Sequence, residues 1–225
     1  MRRIVSVVCP SFALWAQPHP SDRAHPHPSE WAQSQPWALT VEQRNLVIIH
    51  DANPAARAAG AVPGQPLTDA RALVPGLRSV SVDPACIERA WHAVAHWLTR
   101  YTPLVALDPA SPPMDVGGAA GFLLDVSGCS HLFGGEQGLL QDLVERMHAW
   151  GLPVRAAMAD TPLAAWGVAR CGDAPVRCVP PGETLSALRP LPVTALNLPD
   201  ATVEALDRLG LRRIEDIVAL DRQAL

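Results

Sequence analysis

The order of apolar runs and amphipathic stretches constrains this chain more than any other feature. Ile4 to Cys9 is a short Val-rich run stopped by Pro10, and it predicts a strand. Asp83-Pro84 opens a long helix to Arg100, in which Ile87, Trp91, Val94 and Leu98 share one face. Leu104 to Leu107 and Phe122 to Val126 are strands around an irregular Pro/Gly turn. Glu136 to Trp150 is a second long helix with a stripe of Leu139, Leu140, Leu143, Val144 and Met147. Val154 to Ala159 and Pro162 to Arg170 add a strand and a helix. The order strand, helix, strand, strand, helix, strand is the split βαβ, ferredoxin-like α+β arrangement. It implies one antiparallel sheet covered by helices on one face.

This unit takes residues 1–12 and 80–170, and residues 13–79 are inserted into it. Within the insertion, residues 17–36 carry Pro18, Pro20, Pro26, Pro28 and Pro36 and are expected to form a loop. Trp37 to Val41 and Leu46 to His50 are expected to pair as strands. Asn53-Pro54 caps a short helix ending at Gly60, Thr68 to Val74 forms another, and Ser79 to Val82 is a strand. Residues 171–192 are proline-rich and are expected to act as a linker. In 193–225, helices Asp200 to Leu209 and Ile214 to Leu220 meet at Gly210, a pattern of helix-hairpin-helix type. The chain stops at Leu225 with no closing element, as a fragment would.

A net charge of −4 and a pI near 6.0 argue against a broad nucleic-acid-binding surface, so any DNA contact must be local. All 18 basic residues are Arg. The 5 cysteines are odd in number and form no Cys-x-x-Cys pair, which argues against a disulfide framework or a thiolate zinc site and suits a reducing cytoplasm. The opening Met-Arg-Arg-Ile-Val-Ser-Val-Val segment has the look of a short signal peptide, but a buried strand accounts for the same residues.

Three motifs stand in a recurring order. Asn53-Pro-Ala-Ala-Arg57 is followed by Gly60, Pro66-Leu67, Ala70 and Leu73-Val-Pro75. Tyr101-Thr-Pro103 precedes Leu124-Asp-Val-Ser-Gly128 and Leu132-Phe-Gly134. Met158-Ala-Asp-Thr-Pro162 leads into a helix. Together they resemble the Y-family, or UmuC-like, translesion DNA polymerases, and most closely a catalytically inactive bacterial branch serving damage-induced mutagenesis. The resemblance spans nearly the whole chain. It implies a palm (1–12 and 80–170), a fingers-like insertion (13–79) and a helical thumb segment (193–225).

Two-metal phosphoryl transfer requires carboxylates on neighbouring strands. In the family, the first acid lies on the opening strand and an Asp-Glu pair in the palm hairpin. These positions fall here on Val8, Ala120 and Gly121. The triphosphate-contacting Tyr falls on Pro54, the Lys on Trp166 and the ribose-excluding aromatic on Ala13, whereas Arg57 is kept as a remnant of the nucleotide pocket. With its acids gone the palm would serve as a scaffold, and positions 8 and 121 are expected to accept acids. Among the helical residues, Arg208, Arg212 and Arg213 form a small basic cluster that either touches DNA or makes a solvated helix face.

The resemblance implies a non-catalytic adaptor in damage-induced translesion synthesis. Its partners would be DNA, held weakly, a sliding clamp, an error-prone C-family DNA polymerase and a RecA-like accessory protein, with no cofactor and no metal. One alternative is an active polymerase whose metal site is rebuilt from Asp108, Asp115 or Asp125. Another is a ferredoxin-like interaction domain unrelated to DNA. Other features have plainer readings: His92 and His96 as solvent-facing residues, His19, His25 and His27 as loop composition, Asp125 as a turn cap, and Gly134-Gly135 as a turn. Most tryptophans read as core, with Trp15 and Trp31 as exceptions.

Overall fold

The computed structural model of the chain describes residues 2–17 and 35–220, so His19, His25, His27 and Trp31 lie outside the described residues. Its centre is β1, Ile4–Cys9, buried along its whole length. A strand apolar at consecutive positions belongs inside a sheet covered on both faces. β1 pairs antiparallel with β6 (Ala120–Asp125) and with β7 (Arg155–Ala159). β5 (Val105–Leu107) lies outside β6, and β8 (Val176–Cys178) pairs parallel with β7, giving the order β5-β6-β1-β7-β8. The first four of these are the strands of the expected βαββαβ order.

Two departures follow from the double burial of β1. Helices cover both faces rather than one. Helices α4 (Pro84–Leu98) and α5 (Glu136–Ala149) join Val5, Val7, Phe122 and Leu124 on the first face. Helix α6 (Pro162–Cys171) packs Ala164, Ala165 and Val168 against Ile4, Val8, Ala157 and Ala159 on the second. The stretch read as a linker, 171–192, carries β8 and helix α7 (Thr184–Leu188), whose Ala187 joins the second core. Pro175 and Pro180 flank a three-residue strand at the sheet edge, where proline is tolerated, so punctuation in the sequence hid an element.

Between β1 and α4 lies a smaller sheet. β2 (Trp37–Gln43) pairs antiparallel with β3 (Leu46–Ala52) and parallel with β4 (Arg78–Ser81). The β2–β3 turn places Arg44 and Asn45 at φ of 50° and 64°, the left-handed pair that a tight hairpin requires. Asn53 accepts a hydrogen bond from Ala56 N at the start of α2 (Pro54–Ala58), as the Asn-Pro signal indicated. Helix α3 (Leu67–Leu73) and α2 close a small core around Ile49, Ala56 and Ala70. Helix α1, Phe12–Ala16, was not anticipated; it buries Phe12 and Leu14 in the first core just before the proline-rich stretch.

At the C-terminal end, α8 (Asp200–Arg208) and α9 (Ile214–Val218) are joined through Gly210 at φ 78°. Ile214 anchors them in the second core, and its amide donates to the Leu191 carbonyl. Among the described residues, no helix is long and apolar enough to cross a membrane.

Candidate functional site: the palm face beside Gly121

Antiparallel pairing sets Val8 opposite Gly121 and Cys9 opposite Ala120. Side chains alternate across a strand, so Val8 and Gly121 share the α6 face while Ala120 enters the first core. Val8, Ala120 and Gly121, the positions onto which the family's acids were expected to fall, are therefore neighbours on the two central strands, and none has a side-chain oxygen.

The space beside Gly121 is filled from another direction. A Cβ placed on Gly121 would lie 2.6 Å from both Cβ and Oδ2 of Asp108 and 2.9 Å from Arg170 Nη2. Asp108 directly follows β5, and its amide donates to the Gly121 carbonyl at 3.0 Å. Its carboxylate Oδ2 accepts from Arg170 Nη2 at 2.6 Å and from Trp166 Nε1 at 2.9 Å, and its Oδ1 accepts from Ala110 N. Arg170 Nη2 also donates to Ser111 Oγ at 2.5 Å, and its Nη1 to Ser6 Oγ at 3.4 Å. The guanidinium lies 4.3 Å from the centre of the Trp166 ring. Trp166 and Arg170 are four apart on α6, the spacing at which helix side chains stack. Burial pulls Arg170 below its ordinary pKa, but an arginine keeps its proton.

The expectation that position 121 accepts an acid is therefore corrected. Any side chain there collides with a buried ion pair. Val8 is different: it is a packed side chain, 6% exposed, and an acid there meets a burial cost rather than a backbone obstacle.

The loop between β5 and β6 continues across the face toward the smaller sheet. Gly117 N donates to the His50 carbonyl at 2.7 Å, and Ala13 N donates to the Gly118 carbonyl at 2.8 Å. His50 Nε2 lies 3.2 Å from the Pro113 carbonyl. A carbonyl only accepts, so Nε2 carries the ring proton and Nδ1 is the bare nitrogen, buried without a hydrogen-bond partner. Burial lowers the His50 pKa and keeps the ring neutral.

Beside it, Asp51 is fully buried, and burial pushes its carboxyl up to about 6 against the opposing pull of Arg57. Asp51 Oδ1 accepts from Arg57 Nη2 at 2.5 Å and from Ala52 N, while Oδ2 is buried without a hydrogen bond. Arg57 Nε donates to the Ala52 carbonyl. Arg57 is thus engaged by its neighbours Asp51 and Ala52. Ala13 lies against Gly118, and Val116 lies 3.8 Å from a Cβ built on Gly64.

The remaining candidates fall in other places. Asp115 is exposed on the loop. Asp125 Oδ1 accepts from Ser127 N and Oγ, which makes it the turn cap expected. His92 and His96 face solvent, and Gly134-Gly135 forms a left-handed turn. Trp15 is half-buried and donates to the Trp150 carbonyl at 3.0 Å. Arg212 faces Asp207 at 2.9 Å, Arg213 faces Glu215 at 3.8 Å and Arg208 faces Glu204 at 3.9 Å. These three arginines are exposed and individually countered by acids, and the structure does not bring them near Gly121's pocket through any bond among the described residues. Sequence reasoning missed Arg170, Ser111, His50 and Asp51. The available signal was the Trp166/Arg170 spacing one turn along α6.

The residues present do not suit a pair of divalent cations. A guanidinium stands beside Gly121, and the nearest carboxylate is spent on it. Among the described residues, no three His, Cys, Asp or Glu side chains are grouped to hold a metal ion.

The impB/mucB/samB family profile matches residues 29–170. Protein ImuB from two strains of Caulobacter vibrioides is 45% identical over 166 residues, covering 74% of this chain and 34% of the relative. Among solved structures, DinB from Sulfolobus solfataricus superposes with a TM-score of 0.69 at 17% identity, covering 98% of this chain and 61% of that one. A post-insertion binary complex of Dbh DNA polymerase gives 0.72 at 17% identity, covering 99% and 62%. The chain spans about a third of the length of the curated relatives and about three fifths of those solved chains. The fold is that of a Y-family polymerase catalytic core.

Proposed function

Because the chain belongs to the impB/mucB/samB family of Y-family polymerase-like proteins, we propose that it acts without catalysis, as an adaptor in damage-induced translesion synthesis. The observation that carries this reading is the ion pair beside Gly121. Where the family's chemistry needs carboxylates around two cations, this chain has Val8, Ala120 and Gly121, with Arg170 and Asp108 filling the space. The retained Arg57 is turned to Asp51.

On this reading, residues 1–12 and 80–170 are the palm, 13–79 the fingers and 193–225 the start of a thumb of helix-hairpin-helix type. The thumb contributes little grip on DNA. The turn Asn197-Leu-Pro-Asp200 lacks the glycines that expose backbone amides to phosphate, and Arg208, Arg212 and Arg213 each face an acid. The partners are a sliding clamp, an error-prone C-family DNA polymerase and a RecA-like accessory protein, and the work is done in the cytoplasm at the nucleoid.

The test is damage-induced mutagenesis in the cell, measured with the full-length form beside its abundance. Val8→Asp should leave mutagenesis intact as long as the protein accumulates. Leu124→Asp should abolish mutagenesis together with abundance, because it buries an unpaired charge in the first core. Loss of mutagenesis in an abundant, folded Val8→Asp protein would show that the emptied site itself has a role and would overturn the scaffold reading.

A further inference from the structure

Arg170 carries a full charge with its side chain only 14% exposed, on the sheet face where the family's chemistry would put metal ions. Isolated, such a charge is costly to bury; here it meets one carboxylate, two hydroxyls and an aromatic face. We infer that Arg170 is the pocket's built-in cation, and that its grip on Asp108 and Ser111 holds the β5–β6 loop shut across the nucleotide pocket. This inference rests on the placement of that pocket under the reading above, and it adds a mechanism of closure.

The loop is anchored at two ends. At the palm end, Asp108 and Ser111 are held by Arg170, and backbone bonds join Asp108 N to the Gly121 carbonyl and Gly121 N to the Ser111 carbonyl. At the fingers end, His50 and Ala13 take Pro113, Gly117 and Gly118. Gly118 sits at φ +61°, and a Cβ there would stand 2.6 Å from Ala13 and 3.0 Å from Asp51 Oδ2, so the loop backbone lies directly on the fingers. A triphosphate reaching Arg57 or the Ala13 position would have to displace this backbone. A divalent cation would have to displace Arg170 from Asp108. The arginine thus replaces the charge of the metal while removing its open coordination positions, and Arg170 is a positioning residue.

Amide hydrogen exchange at the far end of the loop tests this coupling, because Asp115, Gly117 and Gly118 do not touch Arg170 in the hydrogen-bond network. In Arg170→Gln and in Asp108→Asn, exchange at these amides should rise at least about tenfold, while the β2–β3 sheet and α5 keep wild-type protection. Arg170→Lys, which keeps the charge but loses the fork, should fall between. Ser111→Ala provides the same readout if Arg170→Gln does not fold. Unchanged exchange at Gly117 and Gly118 in folded variants would overturn the inference. So would Mn²⁺ binding to the wild-type protein that is lost in Asp108→Asn, since it would show the carboxylate free for a cation. Neither readout uses catalysis. A loose loop in an inert protein removes only this inference, whereas primer extension by the wild type removes the adaptor reading itself.

Discussion

At Gly118 and Gly121 a single methyl group meets a wall, and both walls belong to the site. Gly118→Ala combines a left-handed φ with a 2.6 Å approach to Ala13. It should cost at least about 1–2 kcal/mol, read as a lowered urea midpoint with an unchanged slope. Stability equal to wild type would mean that the loop does not rest on α1. Asp51 allows a second test, by pH. Its folded carboxyl titrates near 6, above the unfolded value of about 3.9, so from about pH 4 to 6 the folded state holds a proton that the unfolded chain has lost. Its contribution to stability therefore falls as pH rises through that window. His50 has the opposite sign: its lowered pKa makes stability fall as pH drops below about 6.5. Asp51→Asn should leave the His50 trend alone, so stability should rise more steeply with pH between about 4 and 6 than in wild type. A slope identical to wild type would contradict the burial of that carboxyl. In the proposed reading, the sequence displays only what this site has lost. A missing acid can be read from a motif, whereas the arginine that fills its place belongs to a different helix and becomes a neighbour only through the pairing of β1 with β6 and the packing of α6.

Among the elements, α4 and α5 were legible because stripes of large apolar residues at helical spacing leave no other solution. β8 and α1 were not, because each is short, lies beside prolines and owes its conformation to the sheet or core it packs into. What binds β8, α5 and β1 together is Arg3, with its side chain 6% exposed. It donates to both oxygens of Glu136 at 2.7 and 2.6 Å, to Asp160 at 2.7 Å and to the Val179 carbonyl at 2.7 Å. Nothing in a pair of adjacent arginines at the start of a chain marks one as a buried hub. Arg3→Met would leave Glu136 and Asp160 without their cation and should destabilise the fold by about 3–5 kcal/mol in chemical denaturation. A loss below about 1 kcal/mol would show that these acids find water instead.

At the scale of the whole molecule, a net charge of −4 and arginines countered by acids limit the number of phosphates the chain can neutralise. Binding of this chain to primed DNA should be weak and fall steeply with salt. Tight binding that survives high salt would point to a nucleic-acid surface outside the arginines named. In the proposed reading, a polymerase core has kept its fold and closed its chemistry. Primer extension tests it most directly, with the purified protein, a primed template, all four deoxynucleotides and Mg²⁺ or Mn²⁺, beside an active Y-family enzyme. No incorporation is expected with either metal, and none should appear in Asp108→Ala. Template-directed extension that disappears in Asp108→Ala would show that this carboxylate binds a catalytic cation rather than Arg170, and would contradict a non-catalytic role.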